Sequence, residues 1–308
     1  MNEIKKVLIC GIGAIGSIYA DKISKYNHSD LKILVDKDRL EKYKTSPKIF
    51  NGIPLELDYI LPEENNFTAD LIIIATKSDG LIDAINNIKN FVGDETIIMS
   101  LLNGVTSEEM IAEKYGWKHT LLSYFIGHSA MREGNKITFD GVGDIVFGIK
   151  DKNLTSIQDI EIVKNYFDKV KISYKTPENM LRSYWLKFML NVSTNQPSAI
   201  LRLTFGQMRE NPKFIILMKN IMQEVLEIAK AQKVTDTETM IDEAISAFNT
   251  MIPEGKTSML QDVEAGRKTE LEIFASTVIK LGEKHNIPTP YNTILKEMIE
   301  AIEFSNLL

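Results

Sequence analysis

The chain has 308 residues, 44% hydrophobic and 25% charged, with a formal net charge of -6. That supplies core for one large domain or two ordinary ones. The acidic balance excludes a general nucleic-acid binder, which needs a basic excess against phosphates. No run reaches transmembrane length and no signal peptide is read ahead of the first apolar run. The single cysteine, Cys10, excludes an intramolecular disulfide and points to a cytoplasmic location.

The apolar run Val7-Leu8-Ile9-Cys10 suits a buried strand over 4–10, with Cys10 a small buried residue rather than a nucleophile. It ends in Gly11-Ile12-Gly13-Ala14-Ile15-Gly16, a G-x-G-x-x-G, and a helix is expected over 14–26. In that setting the first glycine allows the tight turn and the second lets backbone approach a pyrophosphate. The third lets helix and strand pack closely. The helix N-terminus offers its unpaired N–H groups to the phosphates. A second strand over 31–35 ends at Asp36, twenty residues after Gly16. Asp36 suits a ribose 2′-OH and favours NAD, whereas the adjoining Lys37 and Arg39 suit a 2′-phosphate and favour NADP. Gly11 to Gly16 and Asp36 are therefore candidate cofactor-binding residues.

Residues 49–57 read as a short extended pair around the Asn51-Gly52 turn. Asp70 to Thr76 is a continuous apolar run with β-branched enrichment, a fully buried strand of a parallel sheet. A helix over 80–91, a strand over 96–101 and a helix over 107–115 follow. Lys77 and Asn103 fall just past strand ends, where loops of such sheets face the ligand. From His119 to Gly148 the segments LLSYFIG, KITFD and DIVFG are expected to extend the sheet as a mixed or antiparallel edge. A helix over 157–169 and a strand over 170–174 complete a first domain. The boundary is placed near Thr176-Pro177-Glu178-Asn179. Beyond it, 178–202, 212–232, 236–250, 258–285 and 290–305 all favour helix, with Pro253, Gly255, Pro288 and Pro290 at the breaks.

The first helix of the second domain carries Lys187, Asn191 and Asn195 at i, i+4 and i+8. At ~100° per residue they span about 80°, one narrow polar stripe. A lysine and two amides on one face can hold a keto oxygen or a carboxylate and supply a proton. The same stripe also suits the solvated side of an amphipathic helix. Further on, Ser258-Met259-Leu260-Gln261-Asp262 opens a helix and Lys268-Thr269-Glu270 falls inside a helical pattern. Taken alone, Ser258 suits an N-cap and Glu270 a solvated face.

Assembled, these residues resemble the ketopantoate reductase (2-dehydropantoate 2-reductase) family over nearly the whole chain. The resemblance rests on Gly11–Gly16, Thr76-Lys77, Leu102-Asn103-Gly104, Trp185-Leu186-Lys187 with Asn191 and Asn195, the Ser258–Asp262 string and Lys268-Thr269-Glu270. It implies reduction of ketopantoate to pantoate with NADPH, in pantothenate biosynthesis. It implies Lys187 as general acid and Glu270 as the carboxylate that grips and places the substrate. It implies Asn191, Asn195 and Ser258 as substrate ligands, with Asn103 and Lys77 at the cofactor–substrate junction. Asp36 departs from the arginine that relatives often carry there, which keeps NADH open. Gln196-Pro197 and Arg202-Leu203-Thr204-Phe205 depart from the usual small-residue and Leu-Thr pattern, which keeps a different 2-keto acid open. No metal, nucleic acid or membrane is implied, and a homodimer is one assembly the family allows. The fold class expected is α/β: a Rossmann-type dinucleotide-binding domain over 1–175, then an all-helical substrate-binding domain over 176–308. A catalytically silent NAD(P)-sensing protein is the reading from another class.

Overall fold

The computed structural model describes residues 3–127, 130–139 and 141–305. The chain folds into two compact units, Met1–Leu102 with Ser107–Met180, and Asn103–Thr106 with Leu181–Leu308.

The first unit is α/β. In chain order it holds β1 (Val7–Cys10), α1 (Ala14–Tyr26), β2 (Leu31–Leu34), α2 (Lys37–Thr45), β3 (Ile49–Phe50), β4 (Ile53–Pro54), β5 (Tyr59–Ile60) and β6 (Ala69–Ile74). Then come α3 (Leu81–Asn87), β7 (Val92–Ser100), α4 (Ser107–Tyr115), β8 (Thr120–Gly127), β9 (Met131–Glu133), β10 (Lys136–Thr138), β11 (Gly143–Gly148), α5 (Gln158–Lys169) and β12 (Tyr174–Lys175). The main sheet runs β12-β11-β8-β7-β6-β1-β2-β5. It is parallel from β5 through β8. β11 is antiparallel to β8 and β12 parallel to β11. The central strands read as unbroken apolar runs because both faces are covered. Val7, Ile9, Leu71 and Ile73 join one core with Ile18 and Ile23 of α1 and Phe167 of α5. Leu8, Cys10, Ile72 and Ile74 join the other with Leu81 and Ile85 of α3 and Ile111 of α4.

Two expectations in this unit are corrected. KITFD does not extend the main sheet. Its residues Lys136–Thr138 form β10 in a separate four-stranded sheet, β4-β3-β10-β9, beside the Asn51-Gly52 hairpin; Asp140 lies outside the described residues. Strand pairing near 170–174 begins only at Tyr174. Val170 caps the end of α5, and Lys171 takes a left-handed φ of 58° that breaks the extended run.

The second unit is helical: α6 (Met180–Leu201), α7 (Phe205–Glu210), α8 (Pro212–Ala231), α9 (Met240–Asn249), α10 (Ser258–Glu264), α11 (Ala275–His285) and α12 (Pro290–Ser305). Local chemistry sets the boundaries. Thr204 and Gln207 form a reciprocal capping box at α7. Asn211 caps α8, with Pro212 at its first position. The expected continuous helix over 258–285 is broken. After α10 the chain turns at Gly266, and a short 3₁₀ segment over Leu271–Ile273 precedes α11. Glu270 therefore lies in a loop, not in a helix interior. Among the described residues no helix is long and apolar enough to cross a membrane.

Candidate functional site

In the first unit the candidate cofactor residues follow the C-terminal ends of neighbouring strands. Gly11–Gly16 follow β1, Asp36 closes the run from β2, and Lys77 lies beyond β6. Gly11 has a φ of 93°, and a Cβ on Gly16 would lie 1.9 Å from the Gly11 carbonyl oxygen. The strand and α1 meet there at a distance that tolerates no side chain. Gly13 is different: a Cβ there meets nothing within 4 Å. Backbone is thus left bare toward open space beside the N-terminus of α1, as a pyrophosphate requires. Asp36 caps α2, accepting a hydrogen bond from Arg39 N at 2.7 Å. Arg39 Nε also lies 3.5 Å from its second oxygen, and Lys37 pairs with Glu63 at 3.0 Å.

In the second unit a chain of hydrogen bonds collects five of the sequence candidates. Ser258 Oγ donates to Asn195 Oδ1 at 3.1 Å, and Met259 N donates to the same oxygen at 3.4 Å. Asn195 Nδ2 donates to the Asn191 carbonyl at 3.1 Å, and Asn191 Nδ2 to Asn103 Oδ1 at 3.4 Å. Asn103 Nδ2 donates to Glu270 Oε2 at 3.1 Å. Thr257, not Ser258, caps α10 by accepting from Leu260 N. Thr257 also pairs with Ser198 of α6 at 2.7 Å. The Ser258 hydroxyl is thereby left to Asn195.

Asn103 reaches this chain through a tight turn. Gly104 has a φ of 96°, and a Cβ on it would come within 3.2 Å of Ile273 Cβ, in the segment that follows Glu270. Both asparagines of the α6 stripe are buried. The solvated-face reading of the stripe therefore does not hold for them. Lys187 lies one turn before Asn191. Part of its surface still meets solvent, yet the surrounding protein pushes its ammonium down to about 8, with desolvation as the cause. The pattern of residue types signalled the stripe. It did not signal that Gln196, Asn292 and Glu224 join a second, buried polar column. Gln196 stood out merely as a departure from relatives.

Comparison with known proteins extends over the chain. The profile of the family described as "Ketopantoate reductase PanE/ApbA" matches residues 7–152. The one described as "Ketopantoate reductase PanE/ApbA C terminal" matches residues 179–303. The 2-dehydropantoate 2-reductase of Aquifex aeolicus (strain VF5) is 28% identical over 313 residues, spanning 99% of each chain. That of Pyrococcus horikoshii is 25% identical, spanning 97% of each. Among solved structures, D-mandelate dehydrogenase with NADH and anilino(oxo)acetate superposes with a TM-score of 0.85 at 22% identity, covering 98% of this chain and 99% of that one. The 2-dehydropantoate 2-reductase of Geobacter metallireducens gives 0.81 at 22% identity, covering 96% and 99%. At these identities the structural matches speak for the fold.

Proposed function

Because the chain belongs to the ketopantoate reductase family, we propose that it reduces 2-dehydropantoate to pantoate, a step of pantothenate biosynthesis. On this reading residues 1–175 bind the nucleotide and 176–308 the substrate, with NADPH as donor and NADH as a second one. The observation that carries it is the hydrogen-bonded chain Ser258–Asn195–Asn191–Asn103–Glu270, with Lys187 one turn away on the same helix stripe.

When bound, the dihydronicotinamide supplies the hydride that reduces the keto carbon. Gly11, Ile12, Gly13, Ala14, Ile15 and Gly16 hold the pyrophosphate, and Lys77 and Asn103 serve the junction of cofactor and substrate. Asp36 lies at the adenosine ribose. The Arg39 guanidinium beside it offsets the charge that would repel a 2′-phosphate, which supports use of NADPH. Lys187 faces the keto oxygen. As carbon accepts hydride, negative charge grows on that oxygen, and the ammonium stabilises it and then gives up its proton. An acid near 8 suits this step, being mostly charged at neutral pH yet ready to donate.

Asn191, Asn195 and Ser258 supply neutral polar groups for the rest of the acid. The Glu270 side chain, which already accepts from Asn103, takes the hydroxyl of the substrate as its partner. 2-Dehydropantoate carries a hydroxyl and 2-ketoisovalerate does not. Steady-state reduction of 2-dehydropantoate with NADPH and with NADH, beside 2-ketoisovalerate as acceptor, tests the proposal. If 2-dehydropantoate is no better a substrate, another 2-keto acid is the true one. If no keto acid consumes either nucleotide, the chain is a nucleotide sensor rather than a reductase.

A further inference from the structure

Gln196 follows Asn195 in α6 and has no exposed surface. Its Oε1 accepts from Ala275 N at 3.1 Å. Its Nε2 donates to the Val192 carbonyl at 3.2 Å and to Asn292 Oδ1 at 3.3 Å. Asn292, equally shielded, donates from N at 3.1 Å and from Nδ2 at 2.8 Å to Glu224 Oε2. The other Glu224 oxygen accepts from Tyr291 N at 2.7 Å. Three buried polar side chains thus tie α6, α8, α11 and α12 together.

Such a network is costly to bury and helps only when each member is satisfied. What it returns here is a fixed position for one backbone group. The first N–H groups of a helix lack partners within it. The residue preceding α11 is Phe274, which offers no side-chain cap. Gln196 supplies the missing acceptor from another helix. Ala275 also closes the segment that carries Glu270. The other end of that segment is held where Thr269 N donates to Glu303 at 2.7 Å.

We propose that Gln196 is a positioning residue for Glu270: by holding the Ala275 N–H it fixes the Glu270 carboxylate against the Lys187–Asn191–Asn195 stripe of its own helix. The inference rests on the reading of Glu270 as a substrate ligand. Gln196→Met keeps the volume and removes the acceptor. It raises KM for 2-dehydropantoate about 10- to 100-fold, the scale at which small misplacements act, while NADPH affinity, read by nucleotide fluorescence, stays unchanged. In a Glu270→Gln background the same substitution adds little, because the two act through one contact. If Gln196→Met does not fold, Gln196→Asn, too short to reach Ala275, takes its place with the same expectation. Additive effects of Gln196 and Glu270, or a loss of thermal stability with KM unmoved, overturn the inference and leave the reductase reading standing. A wild-type protein that reduces no keto acid overturns both.

Discussion

Lys187 brings together the costs and uses of a half-buried charge. Desolvation lowers its pKa to about 8, so over the interval between that value and its unfolded value the unfolded chain binds more protons. Stability then rises with pH across that window, and below it the charged lysine weakens the fold. Lys187→Met is expected to raise the melting temperature at pH 7 while lowering kcat by ~10²-fold or more, the scale of lost acid catalysis. Turnover of the wild type should fall as pH rises through about 8, where the acid loses its proton. Unchanged turnover in the variant would remove Lys187 from the role. Asp36 caps α2 and, on the proposed reading, meets the ribose, so the variant that isolates the second role is Asp36→Ser. Serine keeps the cap on α2 and removes the carboxylate. KM for NADH should rise more than KM for NADPH; an equal rise would show that Asp36 does not read the ribose.

At the scale of elements, the glycine loop separates packing from binding. A Cβ on Gly16 collides with the Gly11 carbonyl, so Gly16→Ala must force β1 and α1 apart, at about 1–3 kcal/mol or more. A Cβ on Gly13 meets no atom. Gly13→Ala should leave thermal unfolding nearly unchanged and weaken nucleotide binding by about tenfold or more, equivalent to 1.4 kcal/mol. Calorimetry and a fluorescence titration on both variants check this; equal nucleotide affinity in Gly13→Ala would take the loop out of the cofactor site. Elements whose signal is local were readable in sequence. The Gly13 start of α1, the buried β6 run and the Asn51-Gly52 hairpin were all visible. Elements decided by distant pairing were not. The pattern of β10 is that of any short strand, and its partner is the hairpin some eighty residues earlier in the chain. The apolar period over 258–285 runs on through Thr269–Phe274. There the backbone follows bonds to α6 and α12 that no local pattern records.

For the whole molecule, the helix stripe marked Asn191 and Asn195 and a strand-end loop marked Asn103, whereas Ser258 and Glu270 stood out only through the family resemblance, and the five span more than 150 positions. Their order as one hydrogen-bonded chain needed the fold. That order bears on substrate choice. Asn103 lies between Glu270 and Asn191, so the carboxylate and the Lys187 stripe are held by one amide. On the proposed reading, a substrate spanning both offers a keto oxygen to Lys187 and a hydroxyl to Glu270. A site that reads a hydroxyl discriminates against an analogue without it, which forfeits that contact. The wild type is therefore expected to favour 2-dehydropantoate over 2-ketoisovalerate by ~10²-fold or more in kcat/KM. Glu270→Gln should narrow that ratio, chiefly by lowering the rate with 2-dehydropantoate. A ratio unaltered by Glu270→Gln would mean that the hydroxyl is read elsewhere, and an equal loss with both acids would mean that Glu270 serves the fold rather than the choice of substrate.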